Sequence, residues 1–563
     1  MKLRSSGHPY RPLTSDEVDT LVRQGCTADA WSDILVAPAF RPEGIVRSSF
    51  YGPARLGADV TMRDARCHAH GTAISVLSET GARPVLVHPG LSPLSVYVQA
   101  FHAYGGQSCL AERLRRLAQP IACPLVIDDG AYIDQATLRN CYVGPHVRLE
   151  DGITAEECIF LHGTHLAKGE ACALLAGPYT VSHHKSTLLI AAATSFFNAG
   201  SGSNQSNHSY KLGPNKFGIL ERGVKLGSSS YLFWPARVGA FTTVLGRHKT
   251  HFDLRDLPFS YAVGEEERTV VIPAVSLQSI GTLRDELKWQ QRDAATASLL
   301  TLRTLTPYTA QRIQAGIRLL EALKDSEPTT LTTALGVHHK YYRLGECFIP
   351  TRSIQKGIDL YREALAIYGL GQLCDRIARG LSLGAGDAGT GPWLDYLGFI
   401  LPQHETEQTC LSALSSIDGP TAPTHADALA DLDEAVARCI RQQEEWEWNW
   451  TSRMIADQFG FRPDRADAAT LAEAIDRYRF AVRHRRLLLH FDIDKEFNQE
   501  AAMLYGIDGT PDDARCDFEA AMGREEDNDT FCRLLQLTDE ALALADRAQQ
   551  ALATAPATLH TEN

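Results

Sequence analysis

The sequence has 563 residues, a formal net charge of −13 and 44% hydrophobic residues, so it is long enough for two or more domains. The acidic balance disfavours a general nucleic-acid binder, because neutralising phosphates requires a basic face, but it leaves room for a local basic site that binds a small anion. With no apolar run of about 18 residues, no secretory signal and no Cys-x-x-Cys pair among its 13 cysteines, the chain is expected to be soluble, cytoplasmic and without a membrane partner.

The first 40 residues are predicted to form an N-terminal helical cap. Thr14 or Ser15 can cap a helix that runs to Arg23. Such a cover is expected if a coil of strands follows, because the open end of a coil exposes strand edges and apolar surface.

Apolar residues six positions apart dominate the region that follows. Neither an α-helix, with period 3.6, nor a half-buried strand, with period 2, has this spacing. A sustained period of six indicates a parallel β-helix in which three rungs close one turn, and we predict it for residues 41–284. The short runs are Phe50, Leu56 and Met62, then Ile127 and Ile133, then Val143 and Leu149.

The longest run contains five aliphatic residues. In a three-rung turn, each of them stacks on the residue 18 positions away, so Leu220 should lie under Val238 and Leu226 under Val244. The five residues of the run are Leu220, Leu226, Leu232, Val238 and Val244.

Two features interrupt the coil pattern. Residues 78–122 contain Pro84, Pro89 and Pro93 and a short helical pattern at 109–117, and we interpret this segment as an excursion from the coil. Between Ile133 and Val143 the phase of the repeat slips, so the coil needs an irregular corner there.

The second half changes to 3-4 apolar spacing, which predicts an α-helical region at residues 285–550. Residues 384–391 and 419–423 are typical of linkers, and residues 551–563 of a disordered tail. Trp446, Trp448 and Trp450 could stack on a sugar, but Trp446 and Trp450 share a helix face at i, i+4 spacing and are expected to pack into the core. The consecutive basic residues 483–486 would spread around a helix and are expected to be solvated.

A polar segment inside the coil is the strongest candidate site. Residues 198–209 hold one alanine and no larger aliphatic residue, and a rigid coil would hold their amides and imidazoles close together. Histidine can serve as a general base, and lysine or arginine can hold an anion. The predicted catalytic residues are His183, His184 and His208. The predicted substrate-binding residues are Lys185, Asn198, Ser201, Asn204, Gln205, Asn207, Lys211, Arg222, Lys225 and His248. Of these, Asn198, Asn204, Asn207 and Lys211 are expected to converge on one pocket with the three histidines.

The alternative to a site is that Asn and Gly supply left-handed backbone at corners of the coil. Cys67, His68 and His70 offer metal ligands without a second ligand pair at recognisable spacing, so no metal site is predicted.

The repeats resemble the left-handed parallel β-helices of hexapeptide-repeat acyltransferases and of sugar-nucleotide pyrophosphorylases. Together with residues 183–185, 198–202 and 204–208, they resemble an uncharacterised bacterial family labelled sugar-phosphate nucleotidyltransferase or acyltransferase. This resemblance covers residues 10–285, and the helical half belongs with it. It implies a left-handed coil and a homotrimer.

Three functions stay open for this sequence. The resemblance implies acyl transfer from acyl-CoA to a sugar, sugar phosphate or nucleotide sugar, with a histidine as general base. A nucleotidyltransferase is less favoured, because residues 1–40 contain no strand followed by a glycine-rich phosphate loop. The third possibility is a non-catalytic carbohydrate-binding or scaffold protein.

Overall fold

The first half of the chain folds as a parallel β-solenoid and the second half is mainly α-helical. The computed structural model describes residues 10–70, 74–78, 81–85, 123–206, 216–265, 267–293, 299–332, 338–414 and 425–554. Each turn of the coil visits three faces in succession, which we number 1, 2 and 3 in chain order.

The strands of each face hydrogen-bond to the turn before and the turn after. Face 1 contains Arg11–Pro12, Ile34–Val36, Ala54–Leu56, Val126–Ile127, Tyr142–Val143, Ile159–Phe160, Leu175–Ala176, Ala192–Thr194, Gly218–Leu220, Ala236–Val238 and Phe252–Asp253. Face 2 contains Ile45–Val46, Thr61–Arg63, Tyr132–Asp134, Arg148–Glu150, His165–Ala167, Val181–Ser182, Asn198–Ala199, Lys225–Leu226, Thr243–Gly246 and Tyr261–Glu265. Face 3 contains Thr27–Ala28, Ser49–Tyr51, Arg66–His68, Thr137–Arg139, Thr154–Glu156, Glu170–Cys172, Leu188–Ile190, Asn204–Ser206 and Tyr231–Phe233.

The predicted stacking of the long apolar run is confirmed. Leu220 pairs with Val238 on face 1, and Leu226 pairs with Val244 on face 2. All four side chains are buried in the interior of the coil. Each turn therefore covers the apolar face of its neighbour, which explains why a coil is stable only as an array. The left hand of the coil stays a prediction from the resemblance.

The coil begins earlier than residue 41. Thr27–Ala28 already pairs in parallel with Ser49–Tyr51, and Ile34–Val36 with Ala54–Leu56. The inward residues of this first turn, Ala28, Val36 and Ile45, are eight and nine positions apart. Long corners therefore hide the turn from a search for period six.

The phase slip after Ile133 has a local cause. Leu138 is buried on face 3 between Ile133 and Val143, so two successive rungs have five residues instead of six. Gln135 and Asn140 occupy the two intervening corners with left-handed φ angles of 53° and 48°. A one-residue left-handed corner closes such a shortened rung.

The start of the coil is covered by helix α1, Ser15–Arg23, as predicted. The Thr14 hydroxyl accepts a hydrogen bond from the Glu17 backbone N–H, and the Glu17 carboxylate accepts one from the Thr14 backbone N–H. Together these two bonds form a capping box. The excursion begins as a hairpin of Ile74–Ser78 and Gly81–Val85, and the coil resumes at Val126. The helix predicted at 109–117 lies outside the described residues.

Nine further helices follow the coil in the described ranges. They are α2 Ile280–Asp293, α3 Pro307–Lys324, α4 Thr351–Leu365, α5 Gly371–Ala378, α6 Gln403–Ala413, α7 His425–Phe459, α8 Ala468–Phe497, α9 Pro511–Met522 and α10 Asp529–Thr554. A π-helical turn, Ala366–Leu370, joins α4 to α5. Where the structure describes the helices, it contains none that is both long and apolar enough to cross a bilayer.

The α-helical second half also contains strands, which the sequence pattern did not predict. Arg268–Ile272 turns back on face 2, and Cys347–Pro350, His338–Leu344 and Thr329–Thr332 extend the same sheet. Trp393–Tyr396 and Phe399–Pro402 form a separate hairpin. In His338–Leu344 only Tyr341 is buried, so the strand has no apolar alternation by which the sequence could predict it.

The two halves share one continuous apolar core within the described residues. A buried ion pair also joins them, because the Arg222 guanidinium on the coil lies 3.2 Å from the Asp395 carboxylate in the hairpin. Arg222 Nη2 donates to the Thr301 carbonyl at 2.7 Å, and its guanidinium lies 4.5 Å from the centre of the Phe196 ring. The helical half is therefore docked on the coil through polar as well as apolar contacts.

Candidate functional site

The outer surface of face 2 carries a column of polar side chains in the middle of the coil. Strand register places Arg148, His165, Val181, Asn198 and Lys225 beside one another in that order. Neighbouring strands are about 4.8 Å apart, so His165 and Asn198 are separated by about 10 Å. A small molecule can therefore contact several of these residues at once.

His165 is oriented by a carboxylate on the preceding turn. Its Nε2 lies 2.6 Å from Glu150 Oε1, and Arg148 donates to the other oxygen of Glu150 at 2.9 Å. Burial alone would raise the pKa of Glu150, but hydrogen bonds from Arg148 and His165 lower it below its ordinary value. An ionised carboxylate at Nε2 favours the tautomer protonated on that nitrogen, which leaves Nδ1 of His165 as the basic nitrogen.

His183 stands one turn further along and faces His165. The two ring centres are 5.9 Å apart, and the ring of His184 lies 4.5 Å from that of His183. Burial against its neighbours lowers the pKa of His183, and the charges of His184, His165, Arg292 and Lys168 lower it further. His183 is therefore neutral at pH 7 and able to accept a proton. We call His165, His183 and His184 the histidine cluster.

Helix α2 lies along the coil next to this cluster and presents a basic edge. Arg284, Lys288 and Arg292 are exposed and follow i, i+4, i+8 spacing, which places them on one helix face. We call these three residues the basic ridge. The helix is anchored by Lys225 of face 2, whose ammonium lies 2.5 Å from Asp285 and donates to the Gly281 carbonyl at 3.1 Å.

The ridge retains positive charge that its surroundings do not neutralise. Burial lowers the pKa of Lys288, and the nearby charges of Arg284, Arg292 and Lys225 add to that effect. Asp285 is engaged by Lys225, whereas Lys288 and Arg292 form no ion pair with any residue in the described ranges. The strip between α2 and face 2 is therefore suited to a phosphate or another anion.

Several residues predicted for the site do lie near this strip. His183, His184 and Asn198 are exposed on or beside face 2, and Lys225 anchors the helix above them. Lys185 and Ser201 lie at neighbouring corners of successive turns. The backbone N–H of Gly202, the residue after Ser201, donates to the Lys185 carbonyl at 3.3 Å. The structure thus groups six of the predicted residues along one side of the coil.

Four other predicted substrate-binding residues lie away from this strip, and of these only Asn204 is one of the residues expected in the common pocket. Gln205 points into the coil between Leu189 and Leu232 and is fully buried. Arg222 is buried in the ion pair with Asp395, and His248 is buried with its Nδ1 2.9 Å from Thr269 Oγ1. Asn204 is on face 3, one corner away from the histidine cluster. Because inward and outward positions alternate along a strand, adjacent polar residues cannot all reach the same surface.

The remaining predicted residues, Asn207, His208 and Lys211, lie outside the described residues. Their roles stay predictions.

Sequence reasoning missed His165, Glu150, Lys288 and Arg292. His165 precedes His183 by 18 residues, about one turn of the coil, so the spacing could have pointed to it. The turn is shorter here, and the register partner of His165 is Val181. The i, i+4, i+8 pattern of the basic ridge was also visible in the sequence. Its proximity to the histidines was not, because it depends on how α2 docks on the coil.

Comparisons with known proteins relate the two halves to two separate families. Residues 118–324 match a family described as "Domain of unknown function (DUF4954)", and residues 375–552 match one described as "Domain of unknown function (DUF6819)". An "Uncharacterized protein" of Treponema pallidum (strain Nichols) is 38% identical over 74 residues, which is 12% of this chain and 10% of that protein. The first match extends from the coil into α3, so it includes the histidine cluster and the basic ridge.

Proposed function

We propose that the protein is an acyltransferase that moves an acyl group from acyl-CoA to a sugar, sugar phosphate or nucleotide sugar. The observation that carries the proposal is the 2.6 Å contact between His165 and Glu150 on the outer surface of the coil. A carboxylate-oriented imidazole beside a solvent-accessible strip is an arrangement suited to general base catalysis.

In the proposed reaction, Nδ1 of His165 takes the proton from the acceptor hydroxyl or amine as the acceptor attacks the thioester carbonyl. The new C–O or C–N bond forms as the C–S bond breaks, and the imidazole then passes the proton to the departing CoA thiolate. His183 is neutral and adjacent, so it is the alternative base. His184 and His208 stay candidates from the sequence.

The basic ridge supports a substrate that carries phosphate. Arg292 lies near His183, and Lys288 is one helical turn away from Arg292, on a chain whose net charge is −13. A local basic strip on an acidic protein concentrates small anions without binding nucleic acid generally. The phosphates of CoA, of a sugar phosphate and of a nucleotide sugar share this chemistry.

The first experiment measures binding by thermal shift with acetyl-CoA, UDP-glucose and glucose 6-phosphate. Acetyl-CoA should raise the melting temperature, and Lys288→Gln with Arg292→Gln should weaken its binding by about tenfold or more, since two charge-assisted contacts are lost. Arg66→Gln, which removes an exposed charge on face 3, is the matched control and should bind like the wild type. If none of the three compounds binds, the proposed substrate class is wrong.

The second experiment measures thiol release from acetyl-CoA with a panel of sugars and amino sugars. Replacement of the general base by alanine should lower kcat by about 10²–10⁴-fold while acetyl-CoA binding is retained. His165→Ala and His183→Ala test the two candidates, and His404→Ala, an exposed histidine of α6, is the control. Binding with no thiol release for any acceptor would favour a non-catalytic sugar-binding or nucleotide-binding protein.

A further inference from the structure

The helical half contains a cavity of its own, away from the histidine cluster. It has a volume of about 840 Å³ and lies between α2, the segment 303–305, α5, α7, α8 and α10. That volume is in the range of sites for small organic ligands. Its wall is mixed, with aliphatic residues of α7 and α10 on one part and several arginines on another.

One acidic residue of this cavity is fully engaged. Glu447 of α7 receives two hydrogen bonds from Arg303, at 3.1 and 2.8 Å. Tyr368 Oη and Gln372 Nε2 also donate to Glu447, each at 3.1 Å. Arg303 and Glu447 therefore form a closed structural network that neutralises its own charge.

The arginines of α5 and α7 that border the cavity are engaged as well. Arg376 donates to the Ser382 carbonyl at 2.8 Å, and its guanidinium lies 4.6 Å from the centre of the Trp448 ring. Arg379 pairs with Asp375 at 2.9 Å, and Arg441 pairs with Glu434 at 2.5 Å. These groups have partners inside the protein.

Arg485 of α8 differs from all of them. Its side chain is enclosed by protein but keeps part of its surface open to the cavity, and it makes no ion pair or hydrogen bond with any residue in the described part of the chain. The two acids that attract it are both committed elsewhere. Glu286 accepts from the Thr304 backbone at 2.7 Å, and Glu363 contacts His484.

This isolation overturns the expectation that residues 483–486 are all solvated. A guanidinium has five N–H donors and is costly to bury without an anionic partner. Arg485 presents those donors to a cavity whose other arginines are already paired. The cavity wall also includes an apolar surface formed by Leu534, Leu537 and Ala541 of α10, the helix that packs against α8.

We propose that this cavity binds a small amphiphilic anion, whose carboxylate or phosphate head pairs with Arg485 and whose aliphatic body packs on α10. The site is separate from the histidine cluster and does not depend on the proposed transferase activity. Arg485 would supply a planar, bidentate contact, the geometry that carboxylates and phosphates share.

The test uses the full-length protein and isothermal calorimetry with octanoate, octyl phosphate, inorganic phosphate and octanol. At least one of octanoate and octyl phosphate should bind more tightly than both inorganic phosphate and octanol, and their comparison identifies the head group. Arg485→Gln should weaken that binding by about 10- to 100-fold, because a charge-assisted pair is lost. Arg483→Gln, an exposed arginine two residues away on α8, should bind like the wild type.

A second variant tests the apolar wall without touching the charge. Ala541→Leu narrows the cavity and keeps helix propensity, so it should weaken the octyl compounds while the protein stays folded. Without ligand, Arg485→Gln should melt at the wild-type temperature or above it, because an unpartnered charge is removed. If neither octyl compound binds, or if Arg485→Gln binds the preferred one like the wild type, the proposal is wrong. A large loss of stability in Arg485→Gln with unchanged binding would assign the arginine a structural role instead.

Discussion

Leu226 occupies an inward position of the coil, where a side chain contacts the turns on both sides. It is 3% exposed, and its register partners on face 2 are Ala199 and Val244. Leu226→Asp should lower the free energy of unfolding by several kcal/mol, because it places a carboxylate without a partner in an apolar stack. Chemical denaturation measures this change.

The matched control for that variant is Ser228→Asp, which adds the same charge at an exposed position two residues along. It should change stability by about 0.5 kcal/mol or less. If Leu226→Asp also unfolds within that margin of the wild type, the inward assignment of the hexad residues is wrong.

Two buried histidines make the stability of the protein depend on pH. Burial lowers the pKa of His162 and of His248 to about 4 each, and the charge of His146 adds to the effect at His162. In the unfolded chain a histidine has a pKa of about 6.5, so between pH 6.5 and 4 the unfolded state binds more protons. Stability should therefore fall as the pH drops through that window, by up to about 3 kcal/mol for each histidine.

Denaturation of the wild type at pH 7 and at pH 4.5 measures the effect. His248→Asn keeps a donor near Thr269 but cannot be protonated, so its loss of stability between the two pH values should be smaller than that of the wild type. His404→Asn, which replaces an exposed histidine, should lose as much stability as the wild type. Equal losses in all three proteins would contradict the assignment to His248.

Single residues of the site were harder to predict than their neighbourhood. Asn198 and Gln205 belong to one polar segment, yet the first is exposed on face 2 and the second is buried in the interior. A shift of one position along a strand reverses the direction of a side chain, and polar composition does not reveal that shift. Arg222 presents the same difficulty, because its partner Asp395 is 173 residues away in the sequence.

At the level of secondary structure, one contact that joins the two halves is between the coil corner that contains Arg222 and the hairpin of Trp393–Tyr396 and Phe399–Pro402. Arg222 is 1% exposed and the Asp395 side chain 10%. Asp395→Asn should lower stability by about 3–5 kcal/mol, because it leaves a buried guanidinium without its counter-ion. Urea denaturation followed by tryptophan fluorescence measures the loss, since Trp393 lies in the hairpin.

Asp387→Asn is the control for this pair. Asp387 also contacts an arginine, Arg453, at 2.7 Å, but it is fully exposed. Exposed pairs contribute about 0–1 kcal/mol, so this variant should be close to the wild type. If the two aspartate variants lose equal stability, the ion pair between Arg222 and Asp395 does not stabilise the contact between the coil and the hairpin.

The elements that repeat were predictable, and those that depend on long-range pairing were not. The run from Leu220 to Val244 predicted its stacking partners correctly, because a fixed period determines which residues meet one turn later. The strands His338–Leu344 and Cys347–Pro350 add to face 2 across an intervening helix, α3. Their pairing depends on tertiary contacts, so local pattern carries little information about it.

Considered as a whole, the molecule separates two anion-attracting regions on an acidic chain. The basic ridge lies where α2 meets the coil, and Arg485 lies inside the helical half. With a net charge of −13, long-range attraction to anions is weak, so each region acts only at short range. Binding at either region should weaken as salt rises.

The last prediction concerns assembly, and it follows from the resemblance to trimeric hexapeptide enzymes together with the coil architecture. A solenoid offers flat faces that can pair without refolding, and a closed threefold arrangement would let an acyl donor lie between adjacent coils. We expect multi-angle light scattering to give a mass near three times the 61.8 kDa of one chain at micromolar concentration. If the histidine cluster works between coils, dilution below the dissociation constant of the trimer should reduce thiol release per chain. A monomer that keeps full activity at every concentration would contradict the trimer and would place the whole site on one coil.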